Sequence, residues 1–351
     1  MEVTDSSQAV ENLTRSVAEA APLTREQIEA ACAQLLDETI PIEDRAAFLD
    51  ALHTRGETPE EIAAFVEILL SRANVPPVLG EGCIDVCGTG GDHAGFFNIS
   101  TTAMFIAAGA GARVLKHGNR GITSKSGGAD VLEALGIRID IPFEKIPAAL
   151  EAAGCCFLFA PACHPAFKAV VPVRKLLASR GRASIFNILG PLLNPCRPSF
   201  QLAGVFDPRF APTYATAFEK LGRRRAWAVH GTGPGGMRLD EVSPLGKTLV
   251  EAVENGARSS FEIHPAEFGI GPIEPAELLG GDASENAAIL RGILDGTDRG
   301  PRRPTAQLNA AAALAAAGTA PTLEAAWKLA GESIDSGRAA LALAHLREAT
   351  Q

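Results

Sequence analysis

A glycine-rich segment, Gly88-Thr-Gly-Gly-Asp92, is the first part of the chain whose residue types could do chemistry. It follows a short apolar run that predicts a β-strand over 83–87. Because glycine lacks a Cβ, the backbone can approach a ligand closely there, and free N–H groups after a strand favour an anion. The spacing fits neither a P-loop nor the dinucleotide fingerprint. Taken alone, the segment is as typical of a tight turn as of a phosphate site.

Two further polar motifs follow the next predicted elements. Asn98-Ile-Ser-Thr101 opens a predicted helix, where these residue types either cap the helix or bind a ligand. Lys116 and His117 end a predicted strand, and Asn119 and Ser124 follow in a loop. A lysine at the end of a strand can provide a point charge for phosphate. The three motifs together predict an anion site at the carboxyl edge of an α/β sheet.

Two adjacent carboxylates, Asp240 and Glu241, follow a predicted strand over 226–229 and a glycine-rich loop. Adjacent carboxylates are usually solvated surface charge. Beside a phosphate site they become candidate magnesium ligands, since Mg²⁺ binds through few carboxylates plus substrate phosphates. The sequence contains no Ser-His-Asp order, G-x-S-x-G elbow or H-E-x-x-H motif. We therefore predict catalysis by positioning and electrostatics, with no covalent or acid–base catalytic residue.

Composition limits the classes of function. The 351 residues are 46% hydrophobic and 21% charged, which is typical of a globular protein with a sizeable core. The 32 basic and 41 acidic residues give a formal net charge of −9, which disfavours nucleic acid and anionic membranes as partners. Seven cysteines without metal-ligand spacing predict reduced core thiols, and no apolar run reaches about 18 residues. A cytoplasmic location is expected.

The elements that must position these motifs fall into two groups. Thr24 with Gln27, and Thr58 with Glu61, have capping-box spacing and begin two predicted helices of a helical front, whereas the first 21 residues carry no strong helix signal. After Pro76-Pro77, short apolar strands alternate with helices, which is the pattern of an α/β sheet. We predict a small N-terminal all-α domain over 1–77, with a helical return segment near 164–183. A large α/β domain over 78–351 would hold a central, mostly parallel sheet flanked by helices.

These motifs resemble, in their order, those of the anthranilate phosphoribosyltransferases, and the resemblance extends from about Leu23 to Leu346. So many ordered matches make coincidence implausible. The motifs that carry it are Gly88-Thr-Gly-Gly-Asp92, Asn98-Ile-Ser-Thr101, Lys116-His-Gly-Asn-Arg120, Ser126-Gly-Gly-Ala-Asp130, His164-Pro-Ala, Pro172-Val-Arg174 and Phe186-Asn-Ile-Leu-Gly-Pro-Leu-Leu-Asn-Pro195.

The resemblance implies transfer of the 5-phosphoribosyl group from phosphoribosyl pyrophosphate to the amino group of anthranilate, with Mg²⁺ as cofactor. It implies that anthranilate is bound by Gly88, Asn119 and Arg174, and magnesium by Ser100, Asp240 and Glu241. It also implies that phosphoribosyl pyrophosphate is held by Gly88, Thr89, Gly90, Gly91, Asp92, Asn98, Ile99, Ser100, Thr101, Lys116, His117, Gly118, Asn119, Arg120 and Ser124.

The chain departs from the family pattern at several positions. Phe96 stands where a threonine is usual, Gly128 where a serine is usual, and Ala183 and Ser184 where arginine and threonine are common. The glycine-rich loop before Asp240 is also enlarged. These changes leave the details of phosphate binding open.

Two alternative functions stay open at this point. A pyrimidine nucleoside phosphorylase would share the Lys-His-Gly loop but resembles this chain less after Asn119 and through 164–195. A catalytically silent relative that binds nucleic acid is disfavoured by the net charge and by the intact Asp240-Glu241 pair. The broad apolar faces of the N-terminal helices, together with the resemblance, predict a homodimer formed through these helices.

Overall fold

The computed structural model describes residues 10–17, 21–121 and 125–351 and divides into two compact units. The helical unit comprises the chain up to Asn74 together with Pro161–Pro195, and the α/β unit comprises Val75–Ala160 and Cys196–Gln351. In chain order the elements are α1 (10–17), α2 (Arg25–Leu35), α3 (Ile42–Arg55), α4 (Pro59–Leu70), β1 (Cys83–Gly88), α5 (Ile99–Gly109), β2 (Arg113–Gly118), α6 (Gly128–Ala134), α7 (Ile146–Ala153), β3 (Cys155–Phe159), α8 (Ala160–Cys163), α9 (Val171–Ser179), α10 (Phe186–Leu189), β4 (Phe200–Gly204), α11 (Phe210–Lys220), β5 (Arg225–Gly233), β6 (Met237–Leu239), β7 (Thr248–Glu254), β8 (Ala257–Ile263), α12 (Ala283–Leu294), α13 (Arg302–Ala316), α14 (Leu323–Asp335) and α15 (Arg338–Ala349).

Both capping boxes predicted for the helical unit are present. The Thr24 hydroxyl accepts the N–H of Gln27, whose side chain accepts the N–H of Thr24 in return. Thr58 and Glu61 make the same reciprocal pair at the start of α4. These bonds satisfy N–H groups that a helix start leaves without intrahelical partners. The predicted starts of α2 and α4 are therefore confirmed.

Helix α1 lies in a segment where the sequence showed no strong helix signal. Its apolar face consists of only Val10, Leu13 and Val17, which are buried at positions three and four residues apart. So short a stripe, with no cap signal ahead of it, does not stand out from irregular sequence.

The α/β unit contains one sheet of eight strands. Strand order along the sheet is β3-β2-β1-β4-β5-β7-β8, with β6 paired to β5. The five strands from β3 to β5 are parallel to one another. Strands β6 and β7 pair antiparallel with β5, and β8 pairs antiparallel with β7. The predicted fold class is confirmed, because a small helical domain accompanies a mostly parallel sheet flanked by helices. The carboxyl ends of β1, β2 and β4 lie at one edge of this sheet, where ligands bind in such folds.

Strands β6, β7 and β8 and helix α15 were missed by the sequence analysis. Six of the seven residues of β8 are exposed, so the strand lacks the apolar alternation that predicts a strand from sequence. Helices α5 and α13 pack together within the α/β unit, and most of their residues are buried. Among the described residues, no helix is long and apolar enough to cross a membrane.

Candidate anion and metal site

The glycine-rich segment forms a turn that is tied to β4. Gly88 ends β1 beside Gly204, and the N–H of Thr89 donates to the Gly204 carbonyl at 3.0 Å. The Thr89 hydroxyl accepts the N–H of Phe206 at 3.2 Å. A Cβ on Gly91 would lie 2.5 Å from the Phe206 ring, so only glycine allows this close approach. The turn is thereby fixed at the carboxyl edge of the sheet.

The carboxylate of Asp240 lies against this turn. One of its oxygens, Oδ2, accepts the N–H of Gly90 and the hydroxyl of Thr89, the latter at 3.3 Å. Asp92 is close enough to Asp240 to influence the pKa of its carboxyl. The structure therefore brings together Asp92 and Asp240, which are far apart in sequence.

Three strand residues without side chains make room for the acidic segment. A Cβ on Gly88 would lie 2.5 Å from Asp240 Oδ2, and one on Gly204 would lie 1.6 Å from the Asp240 carbonyl oxygen. A Cβ on Gly231 would lie 2.5 Å from the Glu241 carbonyl oxygen. Asp240 and Glu241 therefore pack directly on the backbones of β1, β4 and β5.

Glu241 faces the start of helix α5. Its Oε1 accepts the backbone N–H of Ser100 at 3.2 Å, where the helix dipole favours negative charge. The Ser100 hydroxyl accepts a bond from the Lys116 ammonium at 3.2 Å, and the same ammonium donates to the Val86 carbonyl. Lys116 is only 4% exposed. Ser100 thus contacts both charged groups, the Glu241 carboxylate through its backbone N–H and the Lys116 ammonium through its hydroxyl.

Electrostatics in this cluster favour a cation. Burial raises the pKa of Asp240, and repulsion from Asp92 raises it further. Burial and repulsion from Asp240 likewise raise the pKa of Glu241, with Lys116 opposing the shift. A divalent cation would relieve this repulsion, and carboxylate and hydroxyl oxygens are the ligands that Mg²⁺ prefers. The residues present therefore fit magnesium.

The protein alone does not form a closed metal cage here. Among the described residues, no three His, Cys, Asp or Glu side chains are grouped closely enough to hold a metal ion by themselves. Mg²⁺ commonly binds through one or two carboxylates and completes its octahedron with water and substrate phosphates. The arrangement therefore suits a magnesium ion that arrives with a phosphorylated substrate.

The Asn98 side chain forms hydrogen bonds to two other parts of the α/β unit. Asn98 Nδ2 donates to the Ser126 carbonyl at 3.1 Å, and its Oδ1 accepts Nδ2 of Asn286 at 2.9 Å. Its side chain therefore does not cap α5. Ile99 and Thr101 are buried in the first turn of that helix. Of the motif, Ser100 is the residue that contacts the acidic cluster.

Three further candidates, His117, Gly118 and Asn119, lie at the end of β2 or directly after it. The backbone N–H of His117 donates to the buried Asp85 carboxylate at 3.1 Å. A Cβ on Gly118 would lie 2.8 Å from the Phe157 ring, so a side chain there would displace the ring. Asn119 is exposed, and its Oδ1 accepts the N–H of Arg120 at 2.8 Å.

Arg120 and Ser124 complete the candidates of this loop. The Arg120 guanidinium pairs with Asp130 at 3.2 Å and with Glu133, and it lies 5.6 Å from the centre of the Phe159 ring. Its charge is therefore shared with two carboxylates. Ser124 lies outside the described residues.

Arg174 lies in helix α9 of the helical unit, whereas the other described candidates lie in the α/β unit. Burial lowers the pKa of its guanidinium. Among the ion pairs of the described residues, none involves Arg174. A desolvated guanidinium is suited to bidentate binding of a carboxylate.

The structure shows the surroundings of two residues that differ from the family pattern, Phe96 and Gly128. Phe96 forms an isolated antiparallel bridge with Leu279, flanked by a 3.1 Å bond from Phe97 N–H to the Leu278 carbonyl. A Cβ on Gly128 would lie 3.2 Å from the Thr101 hydroxyl oxygen, which is a tight contact. The missing side chain at 128 therefore gives Thr101 room.

Three further residues shape this site, and the sequence alone assigned them no role in it. Phe206 covers Gly91, Asn286 holds Asn98, and Asn309 binds the backbone next to Glu241. A signal existed for Asn309, since it is a polar residue directly before four alanines in a predicted helix. No sequence signal pointed to Phe206, because an apolar residue at the end of a strand is common.

Comparison with known proteins assigns this architecture to a class. Residues 11–73 match the helical bundle domain of the glycosyl transferase family, and residues 80–340 match its a/b domain. The chain thus has both domains of this glycosyl transferase family.

Similarity to individual proteins identifies the family within this class. The chain is 42% identical over 340 residues to the anthranilate phosphoribosyltransferase of Bradyrhizobium sp., covering 96% of this chain and 97% of the relative. It is 45% identical to that of Methylorubrum extorquens, covering 94% and 95%. The chain belongs to the anthranilate phosphoribosyltransferase family.

Solved structures of the family share the fold. The Thermus thermophilus anthranilate phosphoribosyltransferase is 36% identical with a TM-score of 0.86, covering 96% of this chain and 99% of that one. The Saccharomyces cerevisiae enzyme in complex with PRPP and Mg is 28% identical with a TM-score of 0.85, covering 97% of each chain.

Proposed function

We propose that this protein transfers the 5-phosphoribosyl group of phosphoribosyl pyrophosphate to the amino group of anthranilate and releases pyrophosphate. The observation that carries the proposal is the cluster of Lys116, Ser100, Asp240 and Glu241 at the carboxyl edge of the sheet. It combines a buried ammonium with a pair of carboxylates whose repulsion a divalent cation relieves. This is the combination that a diphosphate carried by magnesium requires.

The α/β unit would hold the diphosphate-sugar. The start of α5 supports this role through its helix dipole, which favours an anion nearby; the Asn98 side chain does not cap it, and the Ser100 N–H is bonded to Glu241. The Lys116 ammonium adds a positive charge that burial makes more effective. The full set assigned to this substrate is Gly88, Thr89, Gly90, Gly91, Asp92, Asn98, Ile99, Ser100, Thr101, Lys116, His117, Gly118, Asn119, Arg120 and Ser124.

Ser100, Asp240 and Glu241 would hold magnesium. When bound, Mg²⁺ supplies positive charge against the departing pyrophosphate. The chain's own contribution is to fix the two carboxylates, through the Gly90 N–H for Asp240 and the Ser100 N–H for Glu241. The start of α5 and Lys116 stabilise the negative charge that develops as the bond to the sugar breaks.

Gly88, Asn119 and Arg174 would bind anthranilate. The support for Arg174 is its desolvated guanidinium, which pairs bidentately with a carboxylate such as that of anthranilate. The anthranilate amine is an aniline and is nucleophilic when neutral. The reaction therefore needs no strong general base from the protein.

A homodimer in the cytoplasm is the proposed state of the protein. Ile42 and Val171 leave apolar surface on the helical unit, at 41% and 46% exposure. All seven cysteines lie within the described ranges as free thiols, and burial raises the pKa of Cys32, Cys156 and Cys163 to about 12. Such thiols are compatible with a reducing compartment. A single monomeric species in sedimentation at micromolar concentration would contradict the dimer.

The test is a fluorescence-depletion assay with anthranilate, phosphoribosyl pyrophosphate and Mg²⁺. Anthranilate fluorescence should fall with time only when all three are present. Folded protein that consumes no anthranilate under these conditions would refute the proposed function.

A further inference from the structure

Asn309 is a buried amide in an apolar helix. It lies in the middle of α13, is 1% exposed, and is followed by four buried alanines. Burying an amide without hydrogen bonds costs several kcal/mol in an apolar environment, so its partners decide what it does there.

The partners of Asn309 are backbone groups outside any strand. Its Oδ1 accepts the N–H of Val242 at 2.9 Å, and its Nδ2 donates to the Val242 carbonyl at 2.9 Å. A third bond joins Nδ2 to the Thr305 carbonyl at 3.0 Å, within the same helix. One side-chain amide therefore pairs with Val242 in the way that a neighbouring strand would.

Val242 directly follows the acidic pair. Strand β6 ends at Leu239 and β7 begins at Thr248, so Asp240, Glu241 and Val242 lie in a loop without ladder bonds. Val242 is fully buried, and without Asn309 its N–H and carbonyl would lose these partners. The backbone at 242 is thus fixed by α13.

The two ends of this short segment are held independently. The side chains of Asp240 and Glu241 are held by N–H groups of Gly90 and Ser100. The backbone behind them is held by Asn309. Loss of the Asn309 bonds would release the backbone that carries both carboxylates.

We infer that Asn309 is a positioning residue that sets the direction of the Asp240 and Glu241 carboxylates and thereby the affinity for the divalent cation. The turnover measurement that tests this inference rests on the proposed function, whereas the metal-binding measurement does not. Groups that orient metal ligands from behind typically contribute about 10- to 100-fold in metal affinity.

The experiment compares three variants with the wild-type protein. Asn309→Leu keeps the branched shape and the number of side-chain heavy atoms and removes all three bonds, and Asn309→Ala leaves room for a water to replace the amide. Gln307→Leu is the matched control, because Gln307 is a buried amide on the same helix whose Nε2 donates to the Trp327 carbonyl at 3.0 Å. It should lower the melting temperature without altering metal binding.

Two readouts are measured on each protein. The first is Mn²⁺ binding in the presence of pyrophosphate, followed by electron paramagnetic resonance. The second is the Mg²⁺ concentration that gives half-maximal turnover, together with the KM for anthranilate. We expect Asn309→Leu to weaken Mn²⁺ binding and to raise the Mg²⁺ requirement by about tenfold or more, with Asn309→Ala intermediate and the anthranilate KM unchanged.

The outcomes separate the inference from the proposed function. Wild-type affinity for Mn²⁺ in folded Asn309→Leu, or an equal loss in Gln307→Leu, would overturn the inference, as would absence of Mn²⁺ binding by the wild-type protein. Should Asn309→Leu fail to fold, Asn309→Ala decides in the same way. Wild-type protein that binds Mn²⁺ but does not consume anthranilate would refute only the proposed function.

Discussion

Lys116 is a buried lysine near the end of β2. Its ammonium donates to the Ser100 hydroxyl and the Val86 carbonyl, and it opposes the rise in the pKa of Glu241. Removing it would leave the acidic cluster without its buried positive neighbour. Its role in phosphate binding is therefore open to a direct test.

Lys116→Met should raise the KM for phosphoribosyl pyrophosphate by about 10- to 100-fold, because a hydrogen bond to a charged group contributes about 1.5–3 kcal/mol. Steady-state kinetics with each substrate varied in turn measures this. The control is Lys328→Met, since Lys328 is exposed on α14. A KM that rises more for anthranilate than for phosphoribosyl pyrophosphate would contradict the role assigned to Lys116.

Gly204→Ala should lower both stability and activity. The new Cβ would lie 1.6 Å from the Asp240 carbonyl oxygen, which belongs to the backbone and cannot rotate aside. Overpacking of this kind costs about 1–3 kcal/mol and would displace the acidic segment. Urea denaturation and the Mg²⁺ dependence of turnover measure the two effects. Gly271→Ala is the control, because a Cβ there meets nothing within 4 Å, and equal effects of both substitutions would refute the packing argument.

Glu61 joins the start of α4 to other parts of the helical unit. Its carboxylate accepts the N–H groups of Leu23 and Thr58, each at 2.8 Å, and pairs with Arg55. Burial alone would raise the pKa of Glu61, but the bonds from Arg55, Thr58 and Leu23 outweigh it and lower the pKa. The lowered pKa means that the ionised form stabilises the folded state.

Glu61→Gln should therefore lower the free energy of unfolding at pH 7 by about 1–3 kcal/mol. In the wild-type protein this stabilisation is present above the unfolded pKa near 4.5 and is lost as pH falls through the lower folded value. The difference between variant and wild type should shrink accordingly in urea titrations below about pH 4.5. Glu60→Gln, at an exposed neighbouring position, is the control. A difference that stays constant across this pH range would contradict the linkage.

The capping boxes and the antiparallel strands show which elements a sequence reveals. Thr24 and Thr58 predicted helix starts because a cap depends on residues three positions apart, which a local pattern contains. The buried parallel strands were visible as apolar runs for the same reason. Strand β8 was not, because its exposed residues owe their conformation to pairing with β7 rather than to their own pattern.

The residue types of the site were predictable from the sequence, but the contacts between its distant segments were not. The glycine-rich turn and the Asp240-Glu241 pair were singled out from sequence, and their contact through Gly90 and Thr89 joins residues 150 and 151 positions apart. No local pattern encodes such a contact. Asn309 and Gly204 act on this segment through the fold alone, so their roles required the structure.

Arg174 belongs to the helical unit, so its role tests whether both units serve the proposed reaction. Arg174→Ala should raise the KM for anthranilate by about tenfold or more, since a charge-assisted bidentate pair is lost, and should leave the KM for phosphoribosyl pyrophosphate nearly unchanged. Steady-state kinetics is the measurement, and Lys175→Ala, at an exposed neighbouring position, is the control. Equal losses for both substrates would contradict the assignment.

Identification of both products tests whether the protein transfers a phosphoribosyl group to anthranilate. Purified protein is incubated with anthranilate, phosphoribosyl pyrophosphate and Mg²⁺, and the products are analysed by mass spectrometry and a pyrophosphate assay. We predict one phosphoribosylated anthranilate and one pyrophosphate for each anthranilate consumed, and no reaction after chelation of the metal. Folded protein that releases pyrophosphate without forming this adduct, or forms no product, would contradict the account.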